Sequence, residues 1–80
     1  MKDTKTVYIA LGSNKGDKFK NLQLAINAIF EKIGAIVSIS KVYQTEAMGF
    51  DGDDFLNTCI AVNTNLSAKK VLKILQINPF

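Results

Sequence analysis

From Phe55 to Leu66 the chain runs for twelve residues without a charged side chain, in a sequence of only 80 residues. Bounded by Asp54 and Ser67, such a segment reads as a long β-strand, so a sheet is the first thing this chain has to build. Thr6-Val7-Tyr8-Ile9-Ala10-Leu11 points the same way. It is apolar on both alternations, the pattern of a central strand covered on both faces, and Gly12-Ser13-Asn14 breaks it.

Helical periodicity fills the space between these strands. From Asp17 the apolar positions Phe19, Leu22, Ile26, Ile29 and Ile33 step by three and four, which predicts an amphipathic helix of about four turns, with Gly34 expected as a left-handed C-terminal cap. Ile36-Val37-Ser38-Ile39-Ser40 then alternates, with Val37 and Ile39 on one face, and this strand is expected to continue to about Gln44. After the uncharged strand, Ser67 is placed to cap a second helix with the stripe Ala68, Val71, Leu72 and Leu75, stopped by Asn78-Pro79. The order β-α-β-β-α is that of an α+β, ferredoxin-like βαββαβ sandwich lacking its last strand, an antiparallel sheet with two helices on one face.

Composition narrows the chemistry. The 48% hydrophobic and 21% charged content is that of an ordinary globular domain. No apolar run reaches the roughly 18 residues of a membrane span, and the N-terminus lacks the apolar stretch of a secretory signal, so the expectation is a cytoplasmic chain without a membrane partner. Cys59, the single cysteine, cannot form an internal disulfide. The absence of histidine removes the usual zinc sets and every Ser-His or Cys-His nucleophile pair. All ten cationic side chains are lysine. A nucleic-acid reader without the bidentate fork of arginine would be unusual, and no nucleic-acid partner is expected. A core of this size rarely supplies more than about 3–5 kcal/mol, which favours help from a partner chain.

Four segments are candidates for chemistry. Gly12-Ser13-Asn14-Lys15-Gly16-Asp17-Lys18 lies between a strand and a helix, where backbone N–H groups could meet a ligand, yet it matches neither phosphate-loop spacing. A plain turn capped by Asp17 is the other reading. Asp51, Asp53 and Asp54 sit in a glycine-bearing loop that does not fix the geometry a divalent ion needs, so a solvated acidic loop is expected and no metal site is assigned. That loop, from Thr45 to Asp54, is far longer than a simple hairpin turn, and Phe50 between two glycines could close over a ligand. Phe55 and Asn57, two apart on a strand, share a face, where a ring and an amide can read a flat heterocycle or simply pack. Cys59 lies further along the same strand and is expected to be buried packing.

Three segments that overlap these candidates resemble, in order and spacing, the 6-hydroxymethyl-7,8-dihydropterin pyrophosphokinases of folate biosynthesis. Tyr8-Ile9-Ala10-Leu11-Gly12-Ser13-Asn14 is similar to the family's opening strand and first loop. Val42-Tyr43-Gln44-Thr45-Glu46-Ala47-Met48-Gly49 is similar to its second strand and loop, and Asp54-Phe55-Leu56-Asn57-Thr58 to the start of its third strand. The resemblance spans about Val7 to Gln76 and covers the first half of a typical member, so residues 1–80 are read as one partial domain. It implies transfer of pyrophosphate from ATP to 6-hydroxymethyl-7,8-dihydropterin, with release of AMP and the assistance of Mg²⁺. It also implies that Phe55 stacks on the pterin, that Asn57 bonds its edge, that Thr45 and Met48 line the pocket, that Gln76 contacts ATP, and that Gly12, Ser13 and Asn14 shape a mobile loop.

The family's Glu three residues after the Gln76 position is here Pro79. Its Arg-rich segment, its Asp-x-Asp metal pair and its second pterin-stacking ring are missing, so a truncated chain with no catalytic residue of its own is expected, one that shapes part of a pterin pocket. Its expected partners are a second copy or a C-terminal half. The alternative is a non-catalytic ferredoxin-like interaction module associating through an open sheet edge.

Overall fold

The computed structural model describes residues 3–46 and 53–77. The elements are β1 (Lys5–Ser13), α1 (Lys18–Lys32), β2 (Ala35–Ile39), β3 (Tyr43–Thr45), β4 (Phe55–Thr64) and α2 (Ala68–Ile77). The α+β class and the antiparallel sheet are those read from the sequence, with the second predicted strand divided in two. The four strands are organised around β4: β1 lies on one side of it, and β2 and β3 lie end to end on the other. No helix among the described residues is long and apolar enough to cross a membrane.

The uncharged strand is thus the central one, and β1 is an edge of the described sheet. This corrects the reading of Thr6–Leu11 as covered on both faces. Ile9 is buried, whereas Tyr8, on the opposite alternation, is 80% exposed. Periodicity records which residues are apolar and does not record whether a neighbouring layer exists to cover them.

Even-numbered residues of β4 face the helices. Ile60 and Val62 join Ile9, Ile29, Ile33 and Val71 in the core, so α1 and α2 cover the same face of the sheet. Two buried polar residues on that face are satisfied in place. Thr64 Oγ1 donates to the Ile33 carbonyl at 2.7 Å, capping the end of α1, and accepts from the Leu66 N–H. Thr58 Oγ1 donates to the Ser40 carbonyl at 3.2 Å. A buried hydroxyl with no partner would cost about 1–3 kcal/mol, so these bonds also favour one register of β4 over a slipped one.

The helices begin as their capping residues dictate. Asp17 Oδ1 accepts from the Lys20 N–H at 3.1 Å, and Ser67 Oγ accepts from the Lys70 N–H at 3.1 Å. Leu22, Ile29 and Ile33 are buried as the period predicts, while Phe19 is 60% exposed. In α2 the inward stripe is Val71, Ile74 and Leu75, with Leu72 turned outward and Ala68 exposed.

Between β2 and β3 the chain steps out of regular pairing. A register shift between Ile36 and Ser38 makes Val37 an extra residue, so Val37 and Ile39 do not share a buried face. Ser40 then bridges the gap. Its N–H donates to the Cys59 carbonyl at 2.8 Å and its hydroxyl accepts from the Cys59 N–H at 2.9 Å, which keeps β4 paired where no strand residue is present.

Gly34 is not a left-handed cap: among the described residues the one glycine with positive φ is Gly16. Its requirement is space, because a Cβ at Gly34 would overlap the Asn63 carbonyl oxygen. Gly34→Ala is therefore expected to destabilise the chain by about 1–3 kcal/mol through overpacking, whereas at Gly16 a Cβ meets no neighbouring atom and the cost of Gly16→Ala is the strain of its positive φ. Urea denaturation checks this, and equal midpoints for Gly34→Ala and the unaltered chain would contradict it.

Candidate functional site

The odd-numbered residues of β4 face away from the helices, and at the start of the strand they meet the ends of β1 and β3. Asn57 stands opposite Gly12 on one side and Tyr43 on the other, while Phe55 stands opposite Thr45. Directly opposed residues hold their Cβ atoms about 4.5–5.5 Å apart, so Gly12, Asn57, Tyr43, Phe55 and Thr45 form one patch. Phe55 and Asn57 are half-buried; Gly12, Tyr43 and Thr45 are exposed.

The Asn57 amide is oriented by its neighbours. Nδ2 donates to Thr45 Oγ1 at 2.8 Å and leans on the Tyr43 carbonyl at 3.4 Å. A carbonyl only accepts, so the nitrogen is the atom that turns toward β3. That leaves Oδ1 directed toward Gly12, where a Cβ would stand 3.0 Å from it and 3.6 Å from Phe55 Cδ1. The missing side chain at Gly12 thus leaves room over an amide acceptor beside an aromatic ring. Such an arrangement suits a flat heterocycle with N–H groups along one edge and a face to stack.

Cys59 follows Asn57 on the same face and is exposed, contrary to its expected burial. Its Sγ lies 3.9 Å from Tyr43 Oη. The contact raises the Tyr43 phenol above its ordinary value, first through that hydrogen bond, then through the charge of the thiolate and lastly through desolvation.

The other candidates lie elsewhere. Gly12 and Ser13 are the last residues of β1 and belong to the sheet, so the turn begins at Asn14. Asn21 Nδ2 straps that turn, donating to Ser13 Oγ at 3.1 Å and to the Lys15 carbonyl at 2.9 Å. Gln76 is exposed on the last turn of α2 and shares no hydrogen bond with the patch. Met48, Phe50 and Asp51 lie outside the described residues. Asp53 is exposed, and the Asp54 carboxylate accepts from Gln44 Nε2 at 2.6 Å. Tyr43 and Gly12 are the members of the patch that sequence reasoning did not place there. Tyr43 shares the alternation of Thr45, a signal that was present, whereas the pairing of Gly12 with Asn57 depends on a register that no local pattern encodes.

A groove of about 310 Å³ lies on the helix side between α1 and the β2–β3 segment. Phe19, Leu22, Ile26, Ile39 and Val42 make it almost wholly apolar. Gln23, Asn27 and Thr58 also line it but expose little polar surface to bond the edge of a heterocycle, so the patch on β4 is the better candidate.

Known proteins resemble this chain along most of its length. The sequence model of the 7,8-dihydro-6-hydroxymethylpterin-pyrophosphokinase family matches residues 8–78. A 2-amino-4-hydroxy-6-hydroxymethyldihydropteridine pyrophosphokinase of Porphyromonas gingivalis is 35% identical over 71 residues, covering 88% of this chain and 48% of the relative. Its counterpart from Aquifex aeolicus is 38% identical over 68 residues, covering 84% and 42%. The folic acid synthesis protein fol1 of Schizosaccharomyces pombe is 34% identical over 74 residues, which are 90% of this chain and 10% of that much longer protein. The chain thus spans slightly less than half the length of these bacterial relatives.

Proposed function

The chain belongs to the 7,8-dihydro-6-hydroxymethylpterin-pyrophosphokinase family, and from that premise we propose that it supplies the pterin-reading face for pyrophosphate transfer from ATP to 6-hydroxymethyl-7,8-dihydropterin, in the cytoplasm. The observation that carries this reading is the oriented amide of Asn57, with Oδ1 facing the space over Gly12 beside the Phe55 ring. The amino-pyrimidinone edge of a pterin carries N–H groups that an amide oxygen accepts, and its fused rings offer a face to Phe55. Thr45 contributes indirectly, by accepting from Asn57 Nδ2 and so fixing which amide atom meets the ligand. Met48 is proposed to line the same pocket, Gln76 to contact the nucleotide, and Gly12, Ser13 and Asn14 to bound the first loop.

In the transfer itself the pterin hydroxymethyl oxygen attacks the β-phosphorus of ATP and AMP leaves. Such reactions rest on positioning and on neutralising charge. These residues position one reactant. The sequence contains no arginine to clamp the phosphates. Mg²⁺, which the family implies, is not matched by the donor set: no three acidic, histidine or cysteine side chains converge among the described residues, and Gln44 already engages the Asp54 carboxylate. No metal ligand and no catalytic residue is assigned here, and the reading is one of substrate binding.

Calorimetry with 6-hydroxymethylpterin tests it. Asn57→Ala is expected to weaken binding by about 1–3 kcal/mol, the cost of leaving the ring edge unpaired, while Asn27→Ala on the exposed side of α1 leaves it unchanged. Equal binding by the unaltered chain and a Phe55→Ala, Asn57→Ala double variant would refute the site.

One observation favours a second reading, an interaction module. The outer side of β1 is unpaired among the described residues over nine positions, without a proline or a bulge to blunt it. β1 and β2 lie parallel on either side of β4 and are joined through α1; such crossovers are right-handed as a rule, and by the same rule a strand following α2 would reach this edge of β1. A second copy or a C-terminal half of a relative could supply it. Sedimentation of the 80-residue chain at tens of micromolar is expected to show a dimer or larger species, at about the concentrations where weak edge pairing becomes visible. A single monomeric boundary would remove the self-pairing.

A further inference from the structure

Phe55 has fewer backbone pairing partners than Asn57, the other ligand-reading residue of β4, which is paired on both sides. The β1–β4 ladder ends at Ser13 opposite Leu56, so Phe55 is paired on one side only, to Thr45. Strand ends fray, and a ring carried on such a residue is only as well placed as whatever holds the residue before it. That residue is Asp54, which is held twice. Lys18 Nζ donates to its backbone carbonyl at 3.0 Å, in a partly buried contact 36 positions apart in sequence. Gln44 Nε2 donates to its carboxylate at 2.6 Å.

Lys18 is itself well anchored. It is the first residue of α1, immediately after the Asp17 cap, and the turn leading to it is strapped by Asn21 to Ser13 and Lys15. Its side chain is half-buried, so the ammonium reaches Asp54 from a fixed helix start rather than from a free surface stem. Hydrogen bonds from a charged donor are stronger than neutral ones, and partial burial reduces competition from water.

We propose that Lys18, assisted by Gln44, is a positioning residue for the pterin-reading face: by clipping Asp54 to the start of α1 it fixes the end of β4 and so the placement of Phe55 and Asn57. Lys18 shares no hydrogen bond with the side chains of Phe55 or Asn57 and acts through Asp54. The inference rests on the pterin-binding reading above for its functional consequence, while the clip itself is judged without ligand.

The experiment therefore has two arms on the full 80-residue chain. In the first, amide hydrogen exchange is followed with no ligand. Lys18→Met, which keeps the apolar stem and removes the donor, is expected to speed exchange at Leu56 and Asn57 by about tenfold and to leave Ile60 and Val62, in the core, unchanged. Lys18→Arg restores the donor and is expected to return protection. Gln44→Ala gives a smaller increase at the same amides. In the second arm, 6-hydroxymethylpterin affinity is expected to fall about tenfold in Lys18→Met and to recover in Lys18→Arg.

Unchanged exchange at Leu56 and Asn57 in Lys18→Met overturns the clip. Faster exchange there with unchanged pterin affinity overturns its role in positioning. Failure of the unaltered chain to bind pterin refutes the pterin-binding reading, and the exchange arm then decides the clip alone. Should Lys18→Met also lose protection at Ile60 and Val62, the effect is global and Gln44→Ala decides: local loss supports the clip, and no loss overturns it.

Discussion

Every strand pair in this sheet includes β4. β1 pairs with it along nine residues, and β2 and β3 share its other side, with Ser40 filling the interval between them. The alternation of one strand therefore serves two purposes. Its even positions, Thr58, Ile60, Val62 and Thr64, are buried under the helices, while its odd positions, Phe55, Asn57 and Cys59, form the face the helices leave open. A slip of one residue would exchange core and site. The Thr64 bond to the Ile33 carbonyl, the Thr58 bond to the Ser40 carbonyl and the close approach of Gly34 to Asn63 each fit one register. What stabilises the core also positions the candidate ligand face.

The proposed function rests on the end of β4 at which the patch lies. There β1 ends in a glycine whose bare Cα leaves room beside Asn57, and β3 contributes the hydroxyl and carbonyl that turn the amide. Each partner is supplied by a different strand, so the patch exists only when the sheet is assembled. Binding energy and folding energy are coupled at this point, and a pterin bound here would stabilise the sheet by mass action.

Much of this was legible in the sequence, for identifiable reasons. The absence of charge from Phe55 to Leu66 marked β4, the three-four spacing marked α1, and Asp17 and Ser67 marked the helix starts, because these signals are local. The common face of Phe55 and Asn57 needed only the period of a strand. Long-range packing was not legible. Thr6–Leu11 looks central because its residues are apolar, yet Tyr8 is exposed at an edge. Gly34 looks like a cap because it follows a helix, yet its reason lies on Asn63, 29 positions later. The bulge at Val37 and the Lys18–Asp54 bond likewise join segments that no periodicity relates.

The central claim is that the odd face of β4, at its first turn of alternation, is where a pterin is read. Amide and side-chain NMR shifts on titration with 6-hydroxymethylpterin test it most directly, because they locate the ligand without requiring catalysis. The account predicts that the largest changes fall on Gly12, Tyr43, Thr45, Phe55 and Asn57, including the Asn57 side-chain amide, with the apolar groove between Phe19, Ile26 and Val42 unaffected. Shifts concentrated in that groove, or spread evenly over both faces of the sheet, would contradict it.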